Sequence, residues 1–348
     1  MNSLSGSTRS QVQKDFYKMS LYIVALLVLA YVISKKFLRS LKIPRIYDKY
    51  VFITGCDSGF GHLLAKRLDF RGVNVFAGCL TEDGRAKLDK STSCRVTSML
   101  IDVTDEESIK NAFMIVKSRL PYGRGLHGLV NNAGIYDSLG AISSEWLSIK
   151  DFEKLMNVNL YGMVRVTNRF LPLVRAERGR IVNMSSVAGR LIAAGGAPYV
   201  CSKFAVEGYS DTIRQEYYTA GIKVSIIEPS AYKTDIIDIS NMKKKVHEYF
   251  NRQDEDTIEY YGKDYPDLLI KNIWDKYVFS GRFYQVVDAY EHALTAKYPE
   301  GRYLVGKDSN TFFWLLYIAP EWLSAMALGI FNWPLPKGLR KFCFVISF

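Results

Sequence analysis

The stretch "TGCDSGFG", Thr54–Gly61, follows the apolar run Tyr50–Ile53 and decides how the chain is read. Glycine recurs three times in seven residues at the end of a strand candidate, which means that backbone must come close to something. A helical pattern follows at Gly61–Phe70, so free N–H groups and a helix dipole are on hand for a phosphate-bearing ligand. The spacing Gly55-x-x-x-Gly59-x-Gly61 is not the G-x-G-x-x-G of ordinary dinucleotide sites. Taken alone, the loop also fits a glycine-rich structural turn.

Working outward, short β-rich runs alternate with longer helical stretches. The strand candidates are Tyr50–Thr54, Val73–Gly78, Val96–Ile101, Leu126–Asn131, Arg180–Ser185, Lys223–Glu228 and Arg302–Val305. Helical patterns cover Gly61–Phe70, Glu106–Lys117, Phe152–Val174 and Tyr199–Tyr218. Near-continuous apolar strands in such an alternation predict an α/β fold, a doubly wound Rossmann-type parallel sheet of about seven strands with helices on both faces. Ligands of such sheets bind at the carboxyl ends of the strands. The unusual loops of this sequence fall there.

Composition narrows the class. The 348 residues are 48% hydrophobic and 23% charged, which excludes a disordered chain. Of the net charge of +11, +7 lies in the first 45 residues, leaving +4 for the other 303. A near-neutral body predicts no nucleic-acid partner. Basic charge beside apolar sequence at both ends points to membrane lipid instead. Leu21–Ile33, "LYIVALLVLAYVI", extends to about residues 19–38 and is followed at once by Lys35, Lys36, Arg39 and Lys42. With no small-residue cleavage motif behind it, it reads as an uncleaved anchor within an N-terminal segment, 1–45; a signal peptide or targeting presequence are its rivals. A catalytic domain over 46–310 and an apolar aromatic segment over 311–348 complete the division. Residues 235–265 are polar and aromatic and follow the sixth strand, as either a solvated insertion or a lid over a pocket. The cysteines Cys56, Cys79, Cys94, Cys201 and Cys343 show no metal spacing and read as reduced thiols.

Four further motifs give the glycine loop its meaning. "LVNNAG" (Leu129–Gly134) ends the fourth strand, "NVNLYG" (Asn157–Gly162) lies in the next helical stretch, "GRIVNMSSVAG" (Gly179–Gly189) ends the fifth strand, and "YVCSK" (Tyr199–Lys203) opens the following helix. Oxidising an alcohol requires a base for its O–H proton while hydride leaves carbon. A phenolate can serve, but free tyrosine has a pKa near 10. Lys203, four residues after Tyr199 on one helix face, supplies a cation that favours the phenolate.

In this order and spacing, from about residue 48 to 306, the sequence resembles the short-chain dehydrogenases/reductases. "TGCDSGFG…FAGCL" and "GRYLVG" (Gly301–Gly306) resemble the branch holding the microsomal retinol and hydroxysteroid dehydrogenases and 3-hydroxybutyrate dehydrogenase. The resemblance implies catalytic Tyr199, Lys203, Ser186 and Asn159. Lys203 also bonds the nicotinamide ribose, Ser186 (thirteen residues before Tyr199, hence not Ser185) holds the substrate oxygen, and Asn159 supports a proton path. It places Gly55, Ser58, Gly59, Phe60 and Gly61 at the pyrophosphate, Asp102 beside adenine and Asn131 beside the adenosine ribose. "EPSAYKT" resembles P-G-x-x-x-T, putting Thr234 near the nicotinamide carboxamide, although Ser230 replaces the usual glycine. The second strand ends in Cys79 where NAD enzymes place an acid, but no arginine stands there for a 2′-phosphate, and Glu82 and Asp83 follow. The cofactor expected is NAD, with NADP the alternative.

The implied function is a membrane-bound oxidoreductase of the endoplasmic reticulum acting on retinol or a hydroxysteroid. The alternative is a mitochondrial 3-hydroxybutyrate-type enzyme, whose acidic substrate would need Lys233 or the run Lys243–Lys245 as a cationic anchor. A catalytically inactive binding protein is a third reading, opposed by the complete Asn–Ser–Tyr–Lys set. A homodimer is implied by resemblance only.

Overall fold

The computed structural model describes residues 6–137, 142–191, 195–232, 239–274, 280–306, 313–329, 334, 336 and 337. Its contacts divide the chain into two units, Met1–Pro44 with Thr295–Pro299 and Arg45–Leu294 with Glu300–Phe348.

In the first unit, α1 (Gly6–Ser40) is a single helix of 35 residues. Its stretch Gln13–Ser40, 28 residues with mean hydropathy 2.0 and none of its apolar window buried, is long and apolar enough to cross a membrane. α1 is therefore a candidate membrane anchor, and it runs past the 19–38 expected from sequence at both ends. The helix ends where Ser40 gives way to an extended segment: Ile43 N–H donates to Thr295 O at 2.8 Å and Lys297 N–H to Leu41 O at 2.7 Å.

The second unit carries seven parallel strands: β1 (Tyr50–Thr54), β2 (Asn74–Cys79), β3 (Val96–Leu100), β4 (Gly128–Asn131), β5 (Arg180–Met184), β6 (Lys223–Pro229) and β7 (Arg302–Val305). Their spatial order is β3-β2-β1-β4-β5-β6-β7. The order reverses between β1 and β4, which opens a crevice at their carboxyl ends. Each strand falls within two residues of its sequence expectation. β1 and β4 are buried along nearly their whole length because helices cover both faces, which is why they lack alternation.

One face is covered by α2 (Gly59–Phe70), α3 (Glu82–Asp89) and α11 (Tyr284–Thr295), through Leu64, Leu68, Leu88, Val286, Tyr290 and Leu294. The other is covered by α4 (Glu106–Arg119), α6 (Met163–Ala176) and α7 (Ala197–Glu216), through Ile109, Val116, Phe170 and Ile213. Phe52 of β1 stacks on Phe170 at 4.3 Å and 10°.

The stretch read as one helix, Phe152–Val174, is three pieces: α5 (Ile149–Met156), a π-helical turn at Asn157–Gly162, and α6. The wider turn fits the site. Gly162 lies so near Val103 that a Cβ there would sit 2.7 Å from its side chain. Residues 239–269 form α8 (Ile239–Asn251), α9 (Glu255–Tyr261) and α10 (Tyr265–Leu269). These are not a solvated insertion. Val246, Phe250, Tyr261 and Tyr265 bury themselves with Trp146 and Leu155, and Tyr199 packs against that cluster. Three polar ties add to this: Lys245 Nζ to Asp137 O (2.8 Å), Tyr249 hydroxyl to Asp151 (2.6 Å) and Tyr261 hydroxyl to Glu145 (2.7 Å). The C-terminal aromatic stretch contributes α12 (Trp314–Ile318) and α13 (Glu321–Gly329). Cys343 lies outside the described residues, as do residues 235–238 of the lid candidate.

Candidate active site

The glycine loop is shaped by what it touches. Gly55 and Gly59 take left-handed backbone, φ 71° and 60°. A Cβ on Gly55 would lie 2.8 Å from Ala133 Cα, and one on Gly61 would lie 2.2 Å from Gly55 O. At Gly59 nothing lies within 4 Å, so that side is open. Ser58 precedes α2 without capping it through its side chain, leaving first-turn N–H groups available. An open left-handed glycine beside uncapped helical N–H groups fits a pyrophosphate.

Asn132, which sequence reading passed over, holds this loop. Its Nδ2 donates to Thr54 O and Gly55 O at 3.0 Å each, and its Oδ1 accepts from the buried Tyr290 hydroxyl at 3.0 Å. The neighbouring Asn131 turns inward: its Nδ2 donates to Thr167 Oγ1 (2.9 Å) and Asn183 Oδ1 (2.8 Å) in the core. Asp102 follows β3 and accepts from Thr104 N–H (2.8 Å) and hydroxyl (2.7 Å). Phe60 packs edge-on against Tyr232 (5.6 Å) and Phe283 (6.0 Å), so its ring serves the core beside the loop.

Asn159, Tyr199 and Lys203 come together at the carboxyl end of the sheet, and Ser186 follows the end of β5. Lys203 is 4% exposed, and its Nζ donates to Met184 O at 3.1 Å. That Nζ lies 5.6 Å from the centroid of the Tyr199 ring. Burial lowers the Lys203 pKa to about 8, against a raising contribution from Glu207. Asn159, fully buried in the π-helical turn, accepts from Ile135 N–H (2.8 Å) and donates to Ile135 O and Ser202 Oγ (3.0 Å each). Gly134 sits between these groups: a Cβ there would be 3.2 Å from Asn159 Oδ1 and 3.7 Å from Lys203 Nζ. Ser186 Oγ accepts from Ala188 N–H at 3.1 Å, which leaves its own hydrogen to donate. The rival Ser185 belongs to the sheet side, with its N–H on Ile227 O and its hydroxyl facing Glu207. Tyr136 meets Tyr199 edge-on at 4.7 Å. Thr234 and Lys233 lie outside the described residues.

Behind Lys203 lies a charged cluster with no sequence motif of its own. Glu207, one turn further along α7, accepts from Arg302 at 3.0 Å, and Glu228 of β6 lies 3.0 Å from Arg302 Nε. Neither Glu228 oxygen receives a well-aligned hydrogen bond. Burial first, and then the adjacent Glu207 carboxylate, raise the Glu228 pKa to about 7. Both acids look like helix and strand residues in sequence. The packing of α7 on β6 brings them together, and the pairing of β6 with β7 adds Arg302.

Comparison with known proteins places this geometry. The family model for short chain dehydrogenase matches residues 49–245. Retinol dehydrogenase 7 of Rattus norvegicus is 42% identical over 307 residues, 88% of this chain and 95% of that protein. Short-chain dehydrogenase/reductase family 9C member 7 of Homo sapiens is 45% identical, over 79% and 86%. 17-beta-hydroxysteroid dehydrogenase type 6 of Bos taurus is 42% identical, over 91% and 99%. Among solved structures, levodione reductase shares the fold, with TM-score 0.60 at 22% identity over 77% of this chain and 100% of that one.

Proposed function

The chain belongs to the short-chain dehydrogenase family, and from that premise we propose a membrane-anchored dehydrogenase for a lipophilic alcohol of the retinol or hydroxysteroid kind. In this reading Tyr199 takes or returns the hydroxyl proton. The observation that carries it is the buried Lys203 ammonium held 5.6 Å from the Tyr199 ring centroid.

A cation so placed favours the phenolate, and the burial of Lys203 weakens solvent screening of its charge. With its pKa near 8, Lys203 keeps its charge at neutral pH. Ser186 donates its hydroxyl hydrogen to the substrate oxygen and fixes the alcohol against Tyr199. Asn159 clamps the backbone after "NNAG" beside Lys203 and, with Ser202, lines the proton path. Gly55, Ser58, Gly59 and Gly61 hold the pyrophosphate. Asp102, Asn131 (through its backbone), Phe60 and Thr234 are assigned to the cofactor site by family match alone. Nicotinamide, when bound, accepts or supplies the hydride. NAD is the preferred form, since no arginine stands at the end of β2.

An apolar substrate suits the surroundings of Tyr199, which packs, as Ile135 and Leu147 do, against the Trp146 cluster. In this reading α8–α10 are the substrate lid. The cationic anchor that a hydroxy acid would need has a weak candidate in Lys245, because Asp137 already engages it. The endoplasmic reticulum is the proposed compartment, with the mitochondrial membrane the alternative. The test uses isolated membranes carrying the full chain, supplied with NAD or NADP and all-trans-retinol, a 3-hydroxysteroid or 3-hydroxybutyrate. NAD reduction with a lipophilic alcohol is expected, and Tyr199→Phe should lower it by about 10²- to 10⁴-fold. Full activity in that variant would overturn the mechanism.

A further inference from the structure

β2 ends without an acid: Cys79 is fully buried, and Leu80 follows it. Yet a carboxylate does reach that place. Asp57, inside the glycine loop between Gly55 and Gly59, receives the Leu80 N–H on Oδ2 and both the Thr81 N–H and hydroxyl on Oδ1, each at 2.8 Å. The loop is held there because Cys56 N–H donates to Gly78 O at 2.9 Å, continuing the β1–β2 ladder. α3 is fitted to the same group. A Cβ on Gly84 would lie 2.5 Å from Asp57 Oδ1, so only glycine lets the helix start so close.

We propose that Asp57 is the specificity-determining residue for the cofactor, selecting a free ribose 2′-hydroxyl over a 2′-phosphate. The assignment rests on the cofactor site of the proposed function. It differs from the usual arrangement in that the acid comes from the phosphate loop and not from β2. A carboxylate offers about four acceptor positions, and the loop fills three. The remaining one can accept a ribose hydroxyl. A 2′-phosphate in the same place would face this carboxylate and the Glu82 and Asp83 side chains that open α3. The α3 cations Arg85 and Lys87 are drawn to Glu82 (2.9 Å) and Asp83 (2.6 Å) of their own helix. Like charges in that position repel, and among the described residues of α3 each cation is already paired with an acid.

The test is nucleotide binding, read from NADH and NADPH fluorescence with the full chain and no alcohol present. The wild-type protein should bind NADH the more tightly. Asp57→Asn keeps the shape and removes the charge, and it should narrow the ratio of the two dissociation constants by about tenfold or more. Thr81→Val removes the hydroxyl that donates to Asp57 and accepts from Gly84 N–H, keeps the Asp57 charge and should leave the ratio in place. Raising salt from about 0.1 M to about 1 M should narrow the wild-type ratio as well, because screening shortens from roughly 10 Å to roughly 3 Å. This measurement stands even if Asp57→Asn fails to fold. An unchanged ratio in Asp57→Asn, an equal change in Thr81→Val, or a ratio indifferent to salt overturns the assignment alone. If neither nucleotide binds, the cofactor site itself fails, and the assignment with it.

Discussion

Lys203 is a cation buried to 4% exposure, and this conflicts with stability. Burial lowers its pKa from 10.5 to about 8, while the unfolded chain keeps the ordinary value. Between pH 8 and 10.5 the unfolded state therefore binds the extra proton, so stability rises with pH across that window. Below pH 8 the native state carries the full penalty, on the order of 3 kcal/mol for a shift of this size. Lys203→Met removes the charge and the penalty together, at the loss of the hydrogen bond to Met184 O and of the attraction to Glu207 and the Tyr199 ring. Urea unfolding at pH 7 should show the variant more stable by about 1–3 kcal/mol. The same variant should lose alcohol oxidation by about 10²-fold or more. A variant both active and less stable would show that the lysine serves packing. The motif Y-x-x-x-K reveals this residue from sequence. The depth of its burial, which decides the energetics, emerges only once β5 and the π-helical turn are in place.

At the scale of elements, α7, β6 and β7 meet through Glu207, Glu228 and Arg302. Glu228 is fully buried, and its folded pKa, about 7, lies above the ordinary carboxylate value of 4.5. The native state thus holds a proton that the unfolded chain has released between those values. The stability this provides is complete below pH 4.5 and is lost as pH rises to 7. Glu228→Gln keeps the shape and cannot ionise, so its thermal midpoint should depend less on pH over 4.5–7 and exceed the wild type above pH 7. A midpoint lowered above pH 7, where Glu228 is ionised, would mean that the ion pair with Arg302 outweighs burial. The sheet was legible because each parallel strand is a short apolar run between helical patterns, so periodicity and order agreed. The break at Asn157–Gly162 was not. Its cause is tertiary, since Asn159 bonds Ile135 and Gly162 must clear Val103. Asp57 escaped notice for a related reason: a loop aspartate reads as a turn residue until β2 is brought beside it.

For the molecule as a whole, two sets of apolar residues bear on the membrane, and they predict different things. α1 offers 28 residues long and apolar enough to span, with no charged residue between Met19 and Ser34. α12 and α13 expose Trp314, Ile318 and Trp322, an aromatic set suited to the interface and not to a span. The unit Arg45–Leu294 with Glu300–Phe348 has its own sheet and two-faced core. Removing residues 1–44 should therefore leave a chain that still binds NADH. Wild-type protein should resist alkaline extraction from membranes, as a spanning helix does. The shortened chain should be extracted fully, yet pellet in part with neutral vesicles at high salt, because aromatic contact is not screened. Substituting Trp314 and Trp322 by serine in the shortened chain should abolish that residual pelleting. If the shortened chain instead resists extraction, the anchor lies elsewhere and α1 is not the span. If it floats free of vesicles with both tryptophans intact, α12 and α13 do not reach lipid and their aromatic face belongs to another surface.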